Sequence, residues 1–451
     1  MGAYLFDEFD TLTPAAWKQK IQVDLKGADY NDSLLWKTNE GIIVKPFYTK
    51  EDRSNTQISL PIKGYKICQS IFVDDVTIAN KLALNALSRG ANAIQFVADK
   101  SFDYKGLLQN INLESTAIYF KLNFLNADFM IEFSGFYPEN NFYFQSDIIG
   151  NLATTGNWFV NLTDDVKQTQ NIVNNVSNSI CVNASIYQNA GATMVQELGY
   201  ALAHTNEYIE LFGSNVAKQI HYSFSVGNNY FFEIAKLRAF RILHKSLLQE
   251  HGIEGHSIHL FSNPSLRNKT IYDYNVNMLR TTSECMSAII GGSNTISNIS
   301  YDRLYHKSNE FGERISRNQL LILQKEAYLQ EAQTYADGAY YIESITDQLA
   351  EKALTIFKQI EKGGGFLKQL KSGIIQKKIH ESAQKEQDQF NTKQITLLGT
   401  NKLPNKEDKM KDNLQIYPFL KQNNSKTLIP PILQKRLSEQ HEKHRLETEL
   451  L

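Results

Sequence analysis

Three histidines fall in the run His251-Gly-Ile-Glu-Gly-His256-Ser-Ile-His259, and two more in His441-Glu-Lys-His444. Imidazole is a common metal ligand and general base, so chemistry is sought there first. The first run enters a strand as a loop and lacks the i, i+4 helical spacing that pairs two ligands. The second misses the HExxH spacing. No metal site is expected, and His441 and His444 are read as exposed charge. Lys236, Arg238 and Arg241 lie among apolar residues in FFEIAKLRAFRIL. Cations there could anchor an anionic ligand; the expectation is that they extend along apolar surface and pair with Glu233. Cys68, beside Gln69, would need a base or cation to become a nucleophile. Lys66 shares its strand face but need not be close, so a packed thiol is expected. No G-x-S-x-G elbow and no Walker sequence occurs. Gly363–Gly365 reads as a helix stop, since no Lys-Ser/Thr follows it.

The stretch at 179–192, SICVNASIYQNAGA, has a strand-like half followed by a polar, small-residue half. Val195, Leu198, Leu202 and Ile209 then repeat at helical spacing. A strand ending in polar residues before a helix is one βα unit, and chemistry in such folds gathers at the strand's C-terminal end. Gln188 and Asn189 fall there. They can hydrogen-bond a ligand or brace a loop, but a neutral amide is neither general acid nor general base.

The elements that must position these residues alternate. β-prone runs occur at 65–72, 93–97, 117–122, 142–149, 179–187, 220–226, 257–262 and 295–299. Helical patterns follow most of them, for example at 76–87, 194–211, 231–248 and 274–290. This alternation predicts an α/β fold, a (β/α)8 TIM barrel. A doubly wound open sheet is the alternative, but the GxGxxG phosphate fingerprint is missing. The expected organisation is an N-terminal extension (1–55), the barrel (56–310), C-terminal helices packing on it (311–400) and a polar tail (401–451). The extension holds a helix started by Thr13-Pro14 and a hairpin turning at Asn39-Glu40-Gly41. The C-terminal helices are expected at 318–334, 344–362 and 366–389. The tail reads as mobile, or as a strap over a neighbour.

At 451 residues the chain can bury a large core, and its formal net charge of -1 gives no footprint for nucleic acid or an anionic membrane. Three scattered cysteines, Cys68, Cys181 and Cys285, fit a reducing compartment. No signal peptide and no run long enough to span a bilayer is read, so a cytoplasmic protein is expected.

Several collinear stretches between about residues 60 and 400 resemble the methylmalonyl-CoA mutases, adenosylcobalamin-dependent isomerases. They are IYQNAGATMVQELGYALAHTNEYI (186–209), FFEIAKLRAFRIL (231–243), LRTTSECMSAIIGGSNTISNISYD (279–302), FGERISRNQLLILQKE (311–326) and ADGAYYIESITDQLAEKALTIFKQIEKGGGF (336–366). The departures from the family pattern bear on function. In the family's RQYAGF motif on the first strand, the Tyr contacts substrate. Cys68, Gln69 and Ser70 align there, with Ser70 at the Tyr position. The family's YHMQ falls on Ser185-Ile186-Tyr187-Gln188, so the His that bonds the thioester carbonyl becomes Ile186. Loss of one preorganised donor to a developing oxyanion costs about a hundred- to thousand-fold in rate. No D-x-H-x-x-G cobalt-ligating motif occurs in these residues. The resemblance therefore implies a non-catalytic small subunit of a heterodimeric mutase without a flavodoxin-like cobalamin domain. Ser70, Ile186 and Gln188 would be vestigial site positions, and no cofactor or metal would be held by this chain. Adenosylcobalamin would sit on a large catalytic partner subunit. The alternatives are the substrate-binding barrel half of a split acyl-CoA mutase, and an adaptor for another mutase.

Overall fold

Period-two alternation along short strands lets a sheet close, because one face packs inward and the other meets helices. The computed structural model describes residues 8–53, 56–61, 64–138, 142–421 and 426–449. Its main sheet holds β1 (Lys66–Phe72), β2 (Ala93–Ala98), β3 (Ala117–Leu122) and β4 (Tyr143–Phe144), then β5 (Ile180–Asn183), β6 (Ile220–Val226), β7 (Leu260–Pro264) and β8 (Thr295–Ile296). The spatial order is β4-β3-β2-β1-β8-β7-β6-β5, and every pairing is parallel. Two backbone bonds close the ring between β4 and β5: Phe144 N donates to Asn178 O at 2.9 Å, and Cys181 N to Ser146 O at 3.0 Å. The fold is a (β/α)8 barrel.

Four expected elements change at their boundaries. The run at 142–149 keeps only Tyr143–Phe144 as strand. Asp147 accepts from Gly150 N at 2.7 Å and starts a helix at Ile148–Thr155. The run at 179–187 stops at Asn183, and Ser185–Asn189 forms a short helix. The helix expected at 318–334 begins earlier, at Glu310, where Asn309 caps Gly312 N. It ends at Lys325, and a separate 3-10 turn covers Leu329–Thr334. The segment at 366–389 splits at Gly373, whose φ of 76° is the left-handed conformation glycine tolerates.

The Met194–Phe212 helix positions the stretch at 179–192. Thr193 and Gln196 form a reciprocal capping box at its start. Gly191, at φ 101°, makes the turn before it; a Cβ there would lie 2.5 Å from Ala383 Cβ, so no other residue fits. Tyr230–Glu250 and Tyr340–Lys362 pack beside this helix. The Thr13 hydroxyl caps Pro14–Asp24, a helix that buries none of its residues. The hairpin pairs Trp36–Lys37 with Ile43–Val44. Its turn residue Glu40 reaches back to accept from Val195 N at 2.9 Å, so the extension also caps the Met194–Phe212 helix.

The tail does not hang free. Residues 426–437 cross the C-terminal face of the chain's own barrel. Ile432 N donates to Ala153 O, Lys435 N to Asn189 O, and Leu437 N to Arg267 O. A buried ion pair and a hydrogen bond hold its far end: Arg436 Nη1 meets Glu442 Oε2 at 2.5 Å, and Ile271 N donates to Glu442 Oε1 at 2.9 Å. No helix among the described residues is long and apolar enough to cross a membrane.

Candidate functional site

The strand ends and the loops beyond them enclose a cavity of about 270 Å³ at the C-terminal mouth of the barrel. Its wall is polar because the inward positions nearest each strand end carry Ser70, Lys121, Asn183, Ser223 and Asn263. Gln95 Nε2 donates to Gln145 Oε1 at 2.5 Å across the wall. Gln145 Nε2 and Asn183 Oδ1 are buried without a partner among the described residues. Lys121 opens into the cavity. Desolvation in the mouth, reinforced by the Arg303 charge, holds its ammonium below the ordinary lysine pKa.

Two carboxylates line the mouth, and both are committed. Asp147 accepts from Tyr208 Oη at 2.7 Å and pairs with His204 Nε2 at 3.0 Å. His204 Nδ1 in turn meets Tyr187 Oη at 2.9 Å. Burial pushes Asp147 up, but the His204 charge and these donors outweigh it, leaving the carboxyl below its usual value. Glu313 accepts from Ser308 Oγ at 3.0 Å and from Gln69 Nε2. Desolvation raises its pKa.

Beneath the mouth the barrel is filled. Tyr119 Oη lies 2.7 Å from His259 Nε2 and 2.6 Å from Thr295 Oγ1. Its ring stands 4.9 Å from both Tyr143 and Phe261, centroid to centroid, and Tyr143 stacks on His259 at 4.2 Å. Cys68 packs into this floor, and burial pushes its thiol pKa up, so it is the packed cysteine expected.

The structure separates the residues that the sequence grouped. Ser70 lines the cavity. Ile186 does not: it is 2% exposed and belongs to the hydrophobic core outside the strands. Gln188 Oε1 accepts from Ser265 Oγ at 2.8 Å, and Asn189 Oδ1 from Leu266 N at 2.8 Å. Both amides therefore brace the loop after β7. His259 lies in the floor, His251 bonds Asn206 at 2.8 Å, and His441 and His444 are exposed on the Glu439–Thr448 helix. No group of three or more metal-capable side chains occurs among the described residues.

The basic trio departs from expectation, because all three members are buried. Lys236 pairs with Glu233 at 2.6 Å as anticipated, and also with Glu197 at 2.9 Å. Burial, with Glu233 adding repulsion, pushes Glu197 up to about 8 despite that lysine. Arg238 meets Asp337 at 2.8 Å, and Arg241 donates to Gly292 O at 2.5 Å. The trio therefore holds the outer helices and does not line the barrel mouth. The residues that sequence reasoning missed are Lys121, Gln145, Asp147 and Arg303. The first had a legible signal: a lysine two residues after Tyr119 shares its strand face.

Fold and site together define a (β/α)8-barrel protein with a polar mouth above an aromatic floor. The family model "Methylmalonyl-CoA mutase" matches residues 98–448. The chain is 32% identical to a methylmalonyl-CoA mutase small subunit of Porphyromonas gingivalis, over 99% of this chain and 78% of that protein. It is 27% identical to a methylmalonyl-CoA mutase of Cereibacter sphaeroides, over 86% of this chain and 64% of that one. With the large subunit of P. gingivalis it shares 31% identity, over 51% of this chain and 34% of the relative. The chain belongs to the methylmalonyl-CoA mutase family, and it spans less than two thirds of the length of the latter two relatives.

Proposed function

We propose that this chain is a non-catalytic small subunit of a cytoplasmic methylmalonyl-CoA mutase, which interconverts succinyl-CoA and methylmalonyl-CoA. It stabilises a larger catalytic subunit that carries the adenosylcobalamin. The observation that carries this reading is the floor. A coenzyme A thioester whose pantetheine arm ran along the barrel axis would meet Tyr119, Tyr143, His259 and Phe261, which fill it. The vestigial positions agree with it. Ser70 faces the mouth with a hydroxyl where the resemblance puts a tyrosine, Ile186 turns into the core, and Gln188 is spent on Ser265. The likeness to a small subunit over nearly the whole chain supports the same role.

The residues present do not fit adenosylcobalamin. The strap crosses the C-terminal face on which a flat corrin would lie. No imidazole lines the mouth: His259 is in the floor, and His204 stands behind Asp147. No step of the isomerisation is therefore assigned to this chain. The N-terminal segment is the candidate partner contact. Its Pro14–Asp24 helix has no buried residue and presents Trp17 and Val23 to solvent.

The test is co-purification from the native cell. A larger cobalamin-binding mutase chain should come down with this one in equimolar amount. The isolated chain, given adenosylcobalamin and succinyl-CoA, should retain no corrinoid absorbance after gel filtration and show no turnover. Turnover by the chain alone would overturn the reading. Saturable binding of an acyl-CoA would favour the barrel half of a split mutase instead.

A further inference from the structure

The barrel mouth holds two cations with no carboxylate at contact distance among the described residues, although the Arg303 charge is felt by Glu313. Lys121, near the end of β3, and Arg303, beyond β8, both line the cavity and are open to its solvent. Neither side chain has a hydrogen bond or ion pair among the described residues. They are close enough for the Arg303 charge to oppose that of Lys121. The two carboxylates in the wall cannot neutralise them at contact distance. Asp147 is held by His204, Tyr208 and the Gly150 amide, and Glu313 by Ser308 and Gln69.

The inventory asks for negatively charged oxygens opposite the two cations; Gln145 Nε2 and Asn183 Oδ1, though unpaired among the described residues, are closed to solvent and do not face a ligand. A carboxylate suits the guanidinium fork, which can hold both of its oxygens at once.

Size bounds the ligand. A cavity of about 270 Å³ has room for roughly nine waters at about 30 Å³ each. That admits a small organic acid. The aromatic floor closes the lower end, so such a molecule enters through the mouth, past Gln434 of the strap.

We propose that the barrel mouth binds a small carboxylate, its oxygens held by Lys121 and Arg303. The site does not depend on the subunit role proposed above. A chain that binds no acid can still stabilise a partner, and the reverse holds, so the two can fail separately.

The probe is L-malate, a small dicarboxylate. It is titrated calorimetrically into the full chain at low ionic strength, with inorganic phosphate as the tetrahedral comparison. Saturable one-to-one binding of malate is expected, with a Kd of about 1 mM or tighter. Lys121→Met and Arg303→Met should each weaken it by about 10- to 100-fold, with melting temperatures near that of the parent. Arg303→Gln serves as a second variant should Arg303→Met fail to fold. Silence with malate up to about ten times that Kd would overturn the proposal. So would an unchanged Kd in these variants, which places the acid elsewhere. Phosphate binding as tight as malate would also overturn it, because it shows a generic anion spot rather than a carboxylate site.

Discussion

Tyr119 and Lys121 stand two residues apart on β3 and share its inward face, yet they serve opposite regions. The floor around Tyr119 is filled. Its hydroxyl satisfies His259 and Thr295, and its ring packs between Tyr143 and Phe261. The mouth around Lys121 is open, and among the described residues its two cations have no contact partner. One step of strand alternation, about 7 Å, separates the two. A floor of this kind is a structural plug, since every group in it that could react is held by a neighbour or buried. The mouth keeps its polarity without any such packing. The barrel thus retains the place for chemistry at its C-terminal end while its axis has become core.

The sharpest way to break this comparison is to empty the floor. Tyr119→Ala removes a fully buried ring that three aromatic neighbours contact. It should cost about 3–5 kcal/mol in urea unfolding, as large-to-small core substitutions do. Tyr119→Phe keeps the ring and leaves His259 Nε2 and Thr295 Oγ1 without their shared partner. It should cost about 1–3 kcal/mol. If both variants unfold at the parental urea concentration, the floor is not packed as described.

A smaller effect is read from pH. His221 is buried beside Tyr143, and neither ring nitrogen has a partner. Burial, with His259 adding repulsion, pushes its pKa well down. A base depressed in the folded state is neutral there and takes up a proton only on unfolding. Its contribution is therefore full above pH 6.5 or so and falls away as pH drops below that, at up to about 1.4 kcal/mol per pH unit. Glu197 works in the opposite sense. Its folded pKa of about 8 is raised, so its contribution is full below the ordinary carboxyl value and is lost as pH rises through about 8. The two trends mix in the parent, so the difference between chains is the useful quantity. His221→Leu should lose less stability than the parent between pH 7 and pH 5, measured by urea midpoints. Equal losses would show that His221 is already solvated.

Much of this arrangement could be read along the chain, and the part that could not has a physical cause. The eight strand runs and the helices between them follow from local periodicity, so the barrel was legible. The βα unit at 179–192 was also legible, but its inner detail was not. The helical turn at Ser185–Asn189 buries Ile186 and spends Gln188 and Asn189 on the β7 loop. That turn depends on Ser265 and Leu266, far off in sequence. The strap was hidden for another reason. Its composition is polar, and polarity usually signals solvent. Arg436, Glu439 and Glu442 are instead buried and paired, and only the fold supplies their partners. The floor is the same case. Tyr119, His259 and Thr295 meet because of register across the ring, which no single segment encodes.

The smallest expected effect sharpens the comparison from the other side. If the mouth is open and its cations answer to nothing in the protein, removing one should hardly affect folding. Among the described residues Lys121 makes no ion pair, and its side chain is open to solvent, so the fold gains little from its charge. Lys121→Met keeps the length of the stem, deletes the charge and relieves the repulsion from Arg303. Its unfolding free energy should lie within about 0.5 kcal/mol of the parent, or slightly above it, as for substitutions remote from packed features. Lys236→Met is the control, because it strands Glu197 and Glu233 in the helical layer and should cost about 3–5 kcal/mol. A loss at Lys121 as large as that at Lys236 would mean that the mouth cation has a structural partner. The distinction between a packed floor and an open mouth would then fail.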